Sequence, residues 1–253
     1  MLELKNVHGG YNGIDVIKNI NLKINNNEKI CIVGPNGSGK STLLKVISNL
    51  ISFDGTVLVE GKDIKSFNRK KLSKKIAILT QNYNFAFPYT VYETVALGRY
   101  SYITSVFSTL SKNDKLIIEE SLKIVGLLDL KDKFINELSG GELQRVFLAR
   151  TFAQSPEIIL LDEPTNHLDL KYQLEMINYI KAWADEKNKV IIAVLHDLNL
   201  VYNFADKVIL MNKGMIIKEG SPKTVLNSKA LEKAYEINVR DFMLNSLENW
   251  KQK

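Results

Sequence analysis

One cysteine among 253 residues leaves no partner for a disulfide and no thiolate pair for a metal, which excludes a disulfide framework and a cysteine-ligated zinc site. That residue, Cys31, sits inside the apolar stretch 29–33 and reads as a small core hydrophobe. No apolar run approaches the roughly 18 residues that a membrane-crossing helix needs. The densest runs, 158–161 and 190–195, have the length of buried strands. The opening Met1-Leu2-Glu3-Leu4-Lys5-Asn6 carries an acid early and lacks the apolar centre and small-residue cleavage site of a signal peptide. The expectation is a soluble chain that stays in the compartment where it is made. Internal repeats, low-complexity stretches and flexible linkers are missing as well, which sets repeat and disordered architectures aside. The formal charge of +6 is spread along the chain, and clusters such as Arg69-Lys70-Lys71 read as solvated helix faces, so no nucleic acid partner is expected.

What the chain does have is 45% hydrophobic residues, enough for a sizeable core, arranged in alternating strand-like and helix-like segments. Apolar β-branched runs occur at 29–33, 76–79, 158–161, 190–195 and 207–211. That rhythm implies an α/β fold around a buried parallel sheet. After the first run, Leu43, Ile47 and Leu50 share one face of a helix; after the third, Leu174, Ile177, Ile180 and Ala184 do the same. Between about 84 and 152 the spacing is helical and no buried-strand run interrupts it, as in 115–127 with Ile118, Leu122 and Val125. An inserted helical lobe is expected there.

The segment Gly34-Pro35-Asn36-Gly37-Ser38-Gly39-Lys40-Ser41-Thr42 matches GxxxxGK[ST], after a β-branched run and before an apolar-periodic helix. Glycines let successive N–H groups converge on phosphates, and the helix N-terminus adds its dipole. Lys40 brings a charge to the β and γ phosphates, and Ser41 can ligate Mg²⁺. A bare Gly-rich turn would need neither flanking element. Far along the chain, the run 158–161 delivers Asp162 and Glu163 to the end of a strand, the edge where ligands of such sheets bind. Asp162 is the candidate for the Mg²⁺ shell and Glu163 for orienting and polarising the attacking water. Taken alone, such a pair could equally cap the next helix.

Between these halves, Leu138-Ser139-Gly140-Gly141-Glu142-Leu143-Gln144-Arg145 resembles the LSGGQ signature of ATP-binding-cassette ATPases, with Glu142 in place of the commonest Gln. The order of phosphate loop, signature and acidic pair carries the resemblance, which covers about residues 1–225. It implies a phosphate-loop NTPase (RecA-like) core with a parallel sheet, N-terminal antiparallel β elements and an inserted helical subdomain. Residues 1–83 and 153–225 would form the core lobe, 84–152 the helical lobe and 226–253 a tail of open role. It further implies that Tyr11 stacks on adenine and that Gln81 joins the lobes near Mg²⁺. Asn166-His167-Leu168-Asp169 would cross a dimer interface, His196 would contact the γ-phosphate, and Ser139, Gly140, Gly141 and Glu142 would face the γ-phosphate held by a second copy of the chain. The stretches 164–170, 195–200 and 90–99 look like importers of iron-siderophore complexes, haem and cobalamin. In these, two ATPase chains sit on the inner membrane face under two permease chains and an extracytoplasmic binding protein. Zinc and manganese importers share part of this pattern. The surface around Tyr89 and Arg99, beyond the apolar Tyr83, Phe85 and Phe87, is the expected permease contact.

Two other readings differ in class. A soluble cassette ATPase on ribosomes or DNA fits the basic charge, but the chain has one cassette and no extended heptad run. A module that binds ATP without hydrolysing it would need neither Glu163 nor His196.

Overall fold

The computed structural model describes residues 1–80, 88–103, 109–166 and 168–251. Along the chain, strands β1 (Leu2–Tyr11), β2 (Ile14–Ile24) and β3 (Lys29–Val33) are followed by helix α1 (Lys40–Ile47). Strands β4 (Phe53–Val59) and β5 (Lys62–Asp63), helix α2 (Arg69–Ser73) and strand β6 (Ile76–Leu79) come next. Helices α3 (Val91–Ala96), α4 (Lys112–Ile124) and α5 (Gly140–Ala153) then precede β7 (Ile158–Asp162), α6 (Leu170–Lys187) and β8 (Val190–Val194). The chain ends with α7 (Leu198–Phe204), β9 (Lys207–Asn212), β10 (Met215–Gly220), α8 (Pro222–Leu226), α9 (Lys229–Tyr235) and α10 (Val239–Lys251).

The strands form two sheets. One is antiparallel in the order β2-β1-β4-β5; the other runs β10-β9-β3-β8-β7-β6, parallel except for the β9–β10 hairpin. The five continuous apolar runs are the five parallel strands, as expected of a sheet buried on both faces. Successive side chains point to opposite faces. Cys31, Val33, Ile159, Leu161, Ile191 and Ala193 therefore face one core with α4, α5 and α6, while Ile30, Ile32, Ile158, Leu160, Ile192 and Val194 face the other with α1 and the antiparallel sheet. Burial raises the Cys31 thiol far above its ordinary pKa, and it is a core residue.

Between β6 and β7, the described residues form helices and 3-10 turns and no strand longer than one bridge. Ile118, Leu122 and Val125 are fully buried where the spacing put them. Two helix faces differ from expectation. Asn49 adopts a left-handed conformation (φ 55°), the habitual way to end a helix, so Leu50 falls beyond α1 and is exposed. On α6 the buried face is turned toward Met176, Ile177, Ile180, Trp183 and Ala184, and Leu174 is left exposed. The ring of Trp183 stacks on Phe152 of α5, centroids 4.7 Å apart and planes 4° from parallel.

Arg99 departs most from its expected place. It is 3% exposed, and its guanidinium donates to Asp114 at 2.8 Å and to the Ala153 carbonyl at 2.7 Å while lying over the Tyr102 ring. It pins the start of α4 to the end of α5 and presents no docking surface. Burial pushes the Asp114 carboxyl up, but hydrogen bonds from Ser111 and Arg99 outweigh it and hold the group below the usual carboxylate range. Its contribution to stability is therefore complete above the ordinary carboxylate pKa and is lost as pH falls through the lowered value. Arg99→Met strands that carboxylate, and unfolding in urea is expected to reveal a loss of about 3 kcal/mol. A loss under about 1 kcal/mol would mean the pair is not a structural pin.

Candidate functional site

Parallel pairing brings the chemistry to one edge. Ile32 pairs with Val194, and Val194 with Asp162, so β3, β7 and β8 end together. From that edge emerge the loop 34–39, the pair Asp162–Glu163 and His196.

The loop is shaped by contacts that no side chain would permit. A Cβ at Gly34 would lie 2.1 Å from the Met211 carbonyl oxygen, and Gly39, at φ 98°, packs against Ile17 of β2. Lys40 is 6% exposed and donates to the carbonyls of Gly34 at 2.9 Å and Pro35 at 3.0 Å. Burial pushes its ammonium below the ordinary lysine value, against the pull of Glu163 and Asp162. Ser41 donates its hydroxyl to Asp162 at 2.8 Å. Burial raises the Asp162 carboxyl despite that bond, and the negative charge of Glu163 pushes in the same direction. Thr42 is buried below the loop, whereas Asn36 and Gly37 are exposed.

Glu163 sits in the left-handed region at φ 55°, a strained conformation for a residue with a side chain. Its carboxylate is held on both oxygens, by His196 Nε2 at 2.7 Å and by the Asn166 side-chain amide. Tyr11, 42% exposed at the end of β1, has the Lys45 ammonium 5.5 Å from its ring centroid and so lies against α1.

The signature forms the N-terminus of α5. Ser139 and Glu142 make a capping box, the Ser139 hydroxyl donating to the Glu142 carboxylate at 2.7 Å while the Ser139 N–H donates to the same oxygen at 2.8 Å. Those bonds hold the Glu142 carboxyl below its usual value. Ser139 and Gly140 are exposed. Gly141 packs beside Leu168 and Tyr172, and Asp169 caps α6 by accepting from the Tyr172 N–H at 3.1 Å. The signature and 168–172 are thus neighbours. Among the described residues, no hydrogen bond or ion pair joins 139–142 to the loop 34–42. Gln81, His167, Tyr83, Phe85 and Phe87 lie outside the described residues.

The donor set suits nucleotide and Mg²⁺. The Ser38 hydroxyl is buried in the loop and has no hydrogen-bond partner among the described residues, a cradle group open to a phosphate oxygen. Ser41 and Asp162 offer hard oxygen ligands of the kind Mg²⁺ shares with phosphates. No group of three or more His, Cys, Asp or Glu among the described residues is arranged to hold a metal alone.

Sequence reasoning gave Asn166 no role toward Glu163, and it gave none to Gln144, whose amide donates to the Pro164 carbonyl and ties α5 to the loop after the acidic pair. The spacing of three residues from Glu163 to Asn166 was a legible signal; the link to Gln144 was not.

The ABC transporter family profile matches residues 17–166. The chain is 35% identical to the petrobactin import ATP-binding protein YclP of Bacillus subtilis over 94% of each chain. It is 36% identical to the iron(3+)-hydroxamate import ATP-binding protein FhuC of the same organism, over 90% of this chain and 85% of the relative. A dimeric ATP-binding cassette in a post-hydrolysis state, bound to ADP and Pi, superimposes with a TM-score of 0.75 and 32% identity, covering 88% of this chain and 99% of that one.

Proposed function

We propose, from the premise that this chain belongs to the ABC transporter family and is an ATPase of it, that two copies form a head-to-tail dimer whose hydrolysis of ATP drives import of a metal chelate. The observation that carries the hydrolytic role is Glu163, strained and gripped by His196 and Asn166 at the sheet edge beside the phosphate loop.

In this reading the loop N–H groups and Lys40 bind the phosphates, and Lys40 exchanges its two carbonyl partners for phosphate oxygens. Tyr11 stacks on adenine. Ser41 and Asp162 hold Mg²⁺, with Gln81 completing the shell from outside the described residues. When bound, the ion neutralises charge on the phosphate oxygens. Glu163 orients the attacking water and accepts its proton, while His196 steadies Glu163 and reaches the γ-phosphate.

Ser139, Gly140, Gly141 and Glu142 serve the nucleotide of the partner copy, and Asp169 lies at the interface between them. The exposure of Ser139, Gly140 and Asp169, and the lack of any bond from the described signature residues to their own loop, support this assignment. The division into a core lobe (1–83, 153–225), a helical lobe (84–152) and a tail belongs to the same proposal. The permease would seat in a groove of about 360 Å³ lined by Arg69, Lys70, Leu97, Gly98 and Tyr100, which replaces the surface expected at Arg99. No described helix is long and apolar enough to cross a membrane, so attachment to the inner face would run through that contact, with an extracytoplasmic binding protein delivering cargo. Siderophore chelates are favoured as cargo by the named activities of the two relatives.

Mixing Ser139→Arg chains with Lys40→Ala chains tests the composite site. Each mutant alone is expected to be inactive. The mixture rebuilds one intact site per mixed dimer and should recover a measurable fraction of wild-type phosphate release. No recovery despite demonstrated subunit exchange would place the whole site in one chain.

A further inference from the structure

The C-terminal segment has no part in the site described so far, yet one of its side chains reaches the phosphate loop. Tyr235, the last residue of α9, accepts a hydrogen bond from the Gly34 N–H at 3.1 Å, across 201 positions of sequence. The ring is directed there by its helix. Ser228 caps α9 at its start, Leu231 and Ala234 are buried, and Glu236, left-handed at φ 58°, ends the helix directly after Tyr235. Burial raises the phenol above the ordinary tyrosine pKa, although the bond from Gly34 opposes it, so the group is a neutral, fixed acceptor.

Gly34 is buried and held on every side. Its N–H goes to Tyr235, its carbonyl accepts from Lys40, and the Met211 carbonyl leaves no room for a side chain. The two hydrogen bonds differ in fate. Nucleotide binding draws the Lys40 ammonium away to phosphate, and the Gly34 peptide then loses its bond on that side. Nothing in nucleotide binding requires the Tyr235 bond to break. We propose that Tyr235 is a positioning residue for the phosphate loop, fixing the Gly34 peptide while Lys40 moves from the loop to the nucleotide, so that the C-terminal segment sets ATP affinity. The proposal rests on the nucleotide-binding reading of the loop.

Tyr235→Phe removes the acceptor and keeps the ring. The full-length variant is expected to bind Mg·ATP about fivefold more weakly, the order of one neutral hydrogen bond. Its kcat at saturating ATP should stay within about twofold, because Tyr235 touches none of the reacting atoms. The Gly34 amide should exchange with deuterium faster than in the wild type, and Tm should fall by no more than about 4 °C. Leu231→Ala, on the same helix, serves as the packing control: it should lower Tm further and, well below its melting point, bind ATP like the wild type. Wild-type affinity in Tyr235→Phe overturns the proposal, and so does an equal loss of affinity in Leu231→Ala, which would mean that α9 acts only through packing. Failure of the wild type itself to bind ATP overturns both this proposal and the reading beneath it.

Discussion

Glu163→Gln should lower kcat by about 10²–10⁴-fold, the range a positioned general base contributes, with little change in ATP affinity. The amide is isosteric: its oxygen can still accept from the Asn166 side chain, and its NH2 can donate to His196 Nε2 in the tautomer that leaves that nitrogen bare, so the strained backbone at φ 55° keeps its supports. What disappears is the ability to take a proton from water. Unhydrolysed ATP should then accumulate between two copies, and light scattering should register an ATP-dependent doubling of mass. A variant that retains more than about a tenth of wild-type turnover would remove Glu163 from the role of base. A variant that stays monomeric at high concentration with bound ATP would argue against the composite dimer.

Lys40→Ala acts on the other half of the site and should weaken ATP binding by at least about 100-fold. The ammonium is the one positive charge inside the loop 34–42, and charge-assisted hydrogen bonds are worth about 1.5–3 kcal/mol each. Losing two of them exceeds the ~2.7 kcal/mol that a 100-fold change in Kd represents. The same substitution strips the Gly34 and Pro35 carbonyls of their donor, so the empty loop should also be less ordered. Isothermal titration with Mg·ATP measures the effect, and an affinity within about threefold of wild type would mean that the loop does not grip phosphate through Lys40.

Much of the parallel core was legible because its strands are buried on both faces and therefore read as continuous apolar runs, 29–33 and 158–161 among them. The antiparallel sheet was reached through resemblance alone. Its strands expose one face, and bulges between Leu4 and Val7 and between Val7 and Gly9 interrupt the alternation that would have announced β1 and β2. In the site, local motifs were readable because the residues that cooperate are consecutive, as in 34–42 and 139–142. Partnerships fixed by the fold were not. Arg99 looks like a surface charge until Asp114 and Ala153 are brought to it, and Tyr235 looks like any helix-end aromatic until β9 and α9 place it against Gly34.

The stack of Phe152 on Trp183 fixes one end of α5 against α6, while Ser139 stands at the other. Thirteen residues separate them, an arm of about 20 Å at 1.5 Å per residue. A tilt of about 10° about the fixed end would move the Ser139 hydroxyl through about 3.5 Å, the difference between touching and missing a phosphate oxygen. The bond from Gln144 to the Pro164 carbonyl lies on the Ser139 side of that length and ties it to the loop after the acidic pair.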